Sequence, residues 1–98
     1  MKIEILVIGR HPQIMETVLR LINSQEGWHA LGALNEDEAN NLFSNNPFDL
    51  VLIGGGIEDE VEERLSSAFQ KIKPAIKVVR HYGGGSGLLF NEIISAMN

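Results

Sequence analysis

The chain contains no cysteine, which excludes disulfides, thiolate nucleophiles and cysteine-based metal sites. Long apolar runs are missing too: the strongest are strand-sized, far short of the ~20 residues that span a bilayer, so no membrane partner is expected. Basic residues are few, 8 Lys and Arg against 13 Asp and Glu, for a formal charge of −5. That balance argues against a nucleic-acid or anionic-membrane surface. No signal-peptide layout precedes the first strand pattern at Met1-Lys2-Ile3-Glu4, so a cytoplasmic setting is expected. Three prolines and six aromatics in 98 residues leave a modest core under short loops. What is present is a 44% hydrophobic share, ordinary for a globular chain, and room for one domain spanning residues 1–98.

The apolar residues fall into alternating periods. Ile3 to Ile8 is a mostly β-branched run stopped by Gly9, which predicts a buried strand. His11-Pro12 opens a helix with proline at its first position, where a missing N–H costs nothing. Ile14, Met15, Val18, Leu19 and Ile22 follow at helical spacing, and Gly27 ends the segment. Trp28 to Leu34, interrupted by Gly32, predicts a weaker strand at a sheet edge. Asn35 and Glu38 have capping-box spacing ahead of Ala39, Leu42 and Phe43. Phe48 to Ile53 predicts a second buried strand ended by Gly54-Gly55-Gly56. Ile57, Val61, Leu65, Ala68 and Ile72 predict the third helix, Ala75 to Val79 the last strand. A final helix follows Gly83-Gly84-Gly85-Ser86-Gly87, with Leu89, Phe90, Ile93, Ile94 and Met97 inward. Strands alternating with helices imply right-handed crossovers and a parallel sheet covered on both faces, a three-layer α/β sandwich. For four such units the expected strand order is 2-1-3-4. Ligands of such sheets bind beyond the carboxyl ends of the strands, near where the order reverses.

Ala33-Leu34-Asn35-Glu36-Asp37-Glu38-Ala39 followed by Pro47-Phe48-Asp49-Leu50-Val51-Leu52-Ile53 resembles the second strand, second helix and third strand of response-regulator receiver domains. His11-Pro12 also sits where receivers often begin their first helix. The resemblance covers about the first 55 residues well and the rest loosely, and implies a flavodoxin-like, receiver-like (βα)4 fold with one unit fewer than a full receiver. It also implies a place for each functional group. Receivers hold magnesium with an acidic pair after strand one, where this chain has Gly9 and Arg10. Their phospho-accepting aspartate ends strand three, where this chain has Gly54. Asp49 lies at the opposite end of that strand, on the order of 15 Å away at ~3.3 Å per residue. The resemblance therefore implies a degenerate receiver, a signalling or protein-interaction module not phosphorylated on aspartate.

Beside that reading stands a small anion site. Arg10, His11, Arg80 and His81 should share one rim of the sheet, near backbone N–H groups of Gly84, Gly85, Ser86 and Gly87 able to cradle a phosphate or nucleotide. The loop is not a P-loop, since no Lys-Ser/Thr pair follows it. The bland alternative is a tight turn, a Ser86 cap, and arginines paired with the acids of Glu58 to Glu63. No nucleophile, acid and base converge, so no catalysis is expected. No metal or cofactor is expected either. Self-association is expected through the last strand and helix, at Ile76, Val78, Phe90 and Ile94, because an apolar edge strand invites pairing.

Overall fold

A computed structural model describes residues 2–81 and 86–97, and the side chains of all but 86–88 among them. Four strands and four helices alternate: β1 Ile3–Ile8, α1 Pro12–Asn23, β2 Trp28–Ala33, α2 Glu36–Asn45, β3 Leu50–Ile53, α3 Asp59–Ile72, β4 Lys77–Arg80 and α4 Ser86–Met97. All pairings are parallel and the strand order is β2-β1-β3-β4, as the alternating pattern predicts.

The central strands are buried on both faces. Leu6 and Ile8 of β1 join Val51 and Ile53 of β3 against α2 and α3, while Ile5, Val7, Leu50 and Leu52 face α1 and α4. The right-handed rule explains which helix lies where. The α1 crossover leads from β1 to β2 on one side. The α2 and α3 crossovers run the other way across the sheet, so they fall on the opposite face. The final helix packs on the α1 face through Leu89 and Ile93, covering apolar surface of β3 and β4.

Local chemistry sets the ends. Pro12 occupies the first turn of α1. Gly27, at φ 86°, makes a left-handed turn into β2 that a side chain would strain. Asn35 Oδ1 accepts from Glu38 N at 2.9 Å, and Glu38 Oε1 accepts from Leu34 N at 2.8 Å, a capping box displaced by one residue on its return arm. A bidentate pair ties α2 to α3: Arg64 donates to both Glu36 oxygens at 2.9 Å, and this guanidinium lowers the Glu36 pKa below its ordinary value.

Several expectations are corrected. The second buried strand begins at Leu50 rather than Phe48, because Asp49 turns its side chain into the ladder. Asp49 Oδ2 accepts from Glu4 N at 2.9 Å while Asp49 N donates to Glu4 O at 2.8 Å. The last strand is Lys77–Arg80 rather than 75–79, since the turn after Pro74 closes with Ile76 N on Lys73 O. In α3 the buried stripe is Val61, Leu65 and Phe69, and Ile72 is exposed. Ile14 and Ile94, expected inward, are exposed as well.

Gly32 in β2 has a packing role. A Cβ there would stand 2.6 Å from Met15 Sδ and 2.9 Å from Leu19 Cδ1, so these two α1 side chains fill the space that a larger residue would take. Gly32→Val is expected to destabilise the fold by about 1–3 kcal/mol through overpacking. Thermal melting of the two proteins would check it, an unchanged midpoint counting against so tight a contact.

Candidate functional site: a cleft at the carboxyl ends of the strands

The chain reverses direction on the sheet between β1 and β3, and the loops leaving those strands diverge there. Each begins with a glycine held by a ladder bond: Gly9 N donates to Ala33 O at 3.0 Å and Gly54 N to Ile8 O at 2.8 Å. Beyond them a cleft of about 630 Å³ opens between α1 and the strand ends. Val7, Leu52 and Leu89 lie at its floor, Met15 and Val18 of α1 along one wall, and Gly54-Gly55-Gly56 at its lip. Arg10, His11 and His81 line it too. The His11 ring lies over the glycine lip, with Nε2 3.6 Å from where a Gly56 Cβ would stand. His11 is the N-cap of α1 but gives the helix no side-chain cap bond.

Two of the four expected rim residues are held by carboxylates. Arg80, with a side chain 17% exposed, donates to the Glu62 carboxylate, to Ile57 O at 2.5 Å, and lies 3.6 Å from Asp59. It is thereby fixed to the start of α3 and does not line the cleft. His81 pairs through Nδ1 with Glu92 of α4, both side chains less than one-fifth exposed, which ties the end of β4 to the last helix. Arg10 is different. Its side chain is 43% exposed, and Glu58, its partner at 3.7 Å, is more exposed still. An ion pair of that length in water contributes little, and Glu36 at the start of α2 also feels the Arg10 charge, so Arg10 is held by solvated contacts at the mouth.

Gly84 and Gly85 lie outside the described residues. Ser86 and Gly87 form the first turn of α4 and are described by their backbone alone. Among the described residues, no group of three or more His, Asp or Glu side chains has the arrangement to hold a metal ion. Asp49, bound to the Glu4 amide, sits at the amino end of β3, as its position in the strand predicts.

The four residues expected to form an interface do not make one surface. Ile76 is buried at 5% exposure and Val78 packs on the same side, against the core of α2 and α3. Phe90, on the opposite face, meets Trp28 edge-on with ring centroids 5.8 Å apart. Ile94 alone of the four is exposed, at 47%. The outer edge of β4 has no strand beside it among the described residues.

Reasoning from the sequence found the cleft's rim but not its apolar depth. It missed the His81–Glu92 pair, eleven residues apart, because nothing local signals that contact. The acids that hold Arg80 were legible as a run after Gly56, without the geometry that selects Glu62 and Asp59 from among them.

The architecture, four parallel strands in the order 2-1-3-4 with four helices, matches a flavodoxin-like, receiver-like (βα)4 fold. The chain is similar in structure to the response regulator TrrA of Thermotoga maritima, solved in complex with Mg²⁺ and BeF. There the TM-score is 0.79 at 19% identity, and all of both chains is covered. It is similar also to the receiver domain of the hybrid histidine kinase CckA, with a TM-score of 0.72 at 14% identity over 97% of this chain and 99% of that one. A CheY-like receiver domain protein of Methanospirillum hungatei JF-1 gives 0.69 at 21% identity, over 94% of this chain and 76% of that one. No family model matches the chain, and no curated protein matches it in sequence. Among the described residues no helix is long and apolar enough to cross a membrane.

Proposed function

We propose that this domain is a non-catalytic signalling module that recognises another protein, or a second copy of itself, without phosphorylation on aspartate. One observation carries the reading. The cleft occupies the place where the receiver resemblance puts a magnesium-binding acidic pair and an acceptor aspartate, and its described lining contains neither Asp nor Glu. Magnesium takes oxygen ligands, carboxylates foremost. Gly9 and Gly54 supply no side-chain oxygen, and Arg10 brings a positive charge to the same spot. On this reading the domain keeps the fold that receivers use for signalling without the chemistry that switches them.

Incubation with acetyl phosphate and Mg²⁺ tests this directly. The intact mass is expected to stay unchanged and the amide NMR spectrum to show no Mg²⁺-dependent shifts around Gly54. A stoichiometric, hydroxylamine-labile phosphate would refute the reading.

A second reading, a small-ligand sensor at the strand ends, is favoured by the available charge of Arg10 beside His11 at the cleft mouth. Arg80 contributes to that reading only if it leaves Glu62.

A further inference from the structure

We infer that the cleft between α1 and the strand ends binds a small molecule made of an apolar body and an anionic head, a carboxylate or phosphate. This rests on the sensor reading and names the class of ligand it would take. The accessible wall of the cleft is hydrocarbon: Ile14, Val18 and Leu21 of α1 line it above the buried Val7, Leu52, Met15 and Leu89. Its volume of about 630 Å³ falls within the ~300–1,000 Å³ usual for small-molecule sites. A bare phosphate would leave that surface facing water, whereas an aromatic or branched aliphatic body would cover it and gain the free energy of apolar burial.

The mouth has the complementary character. Arg10 and His11 line it, the His11 ring over the glycine lip, and the nearest carboxylates, Glu58 and Glu92, are engaged by Arg10 and His81. Arg10 meets an exposed Glu58 at 3.7 Å and also lies near Glu36, whose pKa it helps to lower, so a ligand head competes with solvated contacts rather than a buried ion pair. A head bound there would accept charge-assisted hydrogen bonds from the guanidinium. Ile14, 61% exposed at the start of α1 and part of the cleft lining, is an exposed large apolar side chain that such a body would also cover.

An amide NMR titration separates the parts. Phenylbutyrate carries body and head, phenylbutanol the body alone, and inorganic phosphate the head alone. Phenylbutyrate is expected to give saturable shifts at Gly9, Thr17, Gly54 and Gly55. Phenylbutanol with the native protein, and phenylbutyrate with Arg10→Ala, are each expected to bind about tenfold more weakly, equivalent to ~1.4 kcal/mol. Thr17→Trp, at an exposed helical position on the cleft wall, is expected to abolish the shifts while the rest of the spectrum keeps its dispersion. Phosphate matching phenylbutyrate at the same amides would overturn the ligand class and leave the sensor reading intact. No saturable shift at the cleft from any probe would overturn both. Equal affinity for phenylbutyrate and phenylbutanol would overturn the role given to Arg10 and the anionic head.

Discussion

Phe69→Ala is expected to remove about 3–5 kcal/mol of folding stability, a large part of the ~5–15 kcal/mol that a domain holds in total. Phe69 is fully buried between α3 and the sheet. Its ring stacks on Phe43 of α2 at 4.2 Å between centroids, and Phe43 stacks in turn on Phe48. Removing the first ring leaves a cavity beside two rigid ones, which have little freedom to collapse into it. Urea denaturation followed by circular dichroism and by Trp28 fluorescence measures the loss. Trp28 packs on the opposite face of the sheet, so coincident transitions would also establish that the two faces unfold together. Ile72→Ala, three residues along the same helix at an exposed position, is expected to change stability by no more than ~0.5 kcal/mol. If the two variants proved alike, the assignment of the buried stripe would fail.

Arg80→Ala is expected to cost about 2 kcal/mol, within the ~1.5–3 kcal/mol of hydrogen bonds to charged groups and tempered by partial exposure. The guanidinium joins the end of β4 to the start of α3 through Glu62, Asp59 and the Ile57 carbonyl. Truncation leaves that carbonyl and a partly buried carboxylate without their donor. Lysine should recover only part of the loss, because one ammonium does not reproduce the planar fork that reaches two acceptors. Arg10→Ala is expected to change stability by no more than ~0.5 kcal/mol, its contact with Glu58 being long and solvated. Chemical denaturation of the three variants distinguishes an arginine held for structure from one left available for a ligand. Equal losses at Arg10 and Arg80 would erase that distinction.

The parts of the fold that were legible are those dictated by neighbours in the chain. Pro12 at the start of α1, the Asn35–Glu38 cap and the doubly buried β1 each follow from a few consecutive residues, and the alternation of elements carries the strand order with them. The α3 stripe shows where local reasoning stops. Ala68 and Ile72 continue a helical period from Leu65 as well as Phe69 does, and only packing against Phe43 selects the ring. Asp49 read as a polar residue inside a strand pattern, while its bond to the Glu4 amide joins positions 45 residues apart. At the site, the rim was legible from glycines, arginines and histidines at strand ends. The division of labour among those side chains was not, because it depends on which acids α3 and α4 bring within reach.

The topology of α4 has a consequence for how the molecule opens. The other three helices each connect two strands, so none can leave its face without dragging on the sheet. The last helix is held on the sheet by Leu89, Ile93 and the His81–Glu92 pair. Its release would uncover one face of β3 and β4 while leaving every strand pairing in place. It is therefore the natural unit of sub-global unfolding, a foldon whose amides would exchange with solvent before those of β1 and β3.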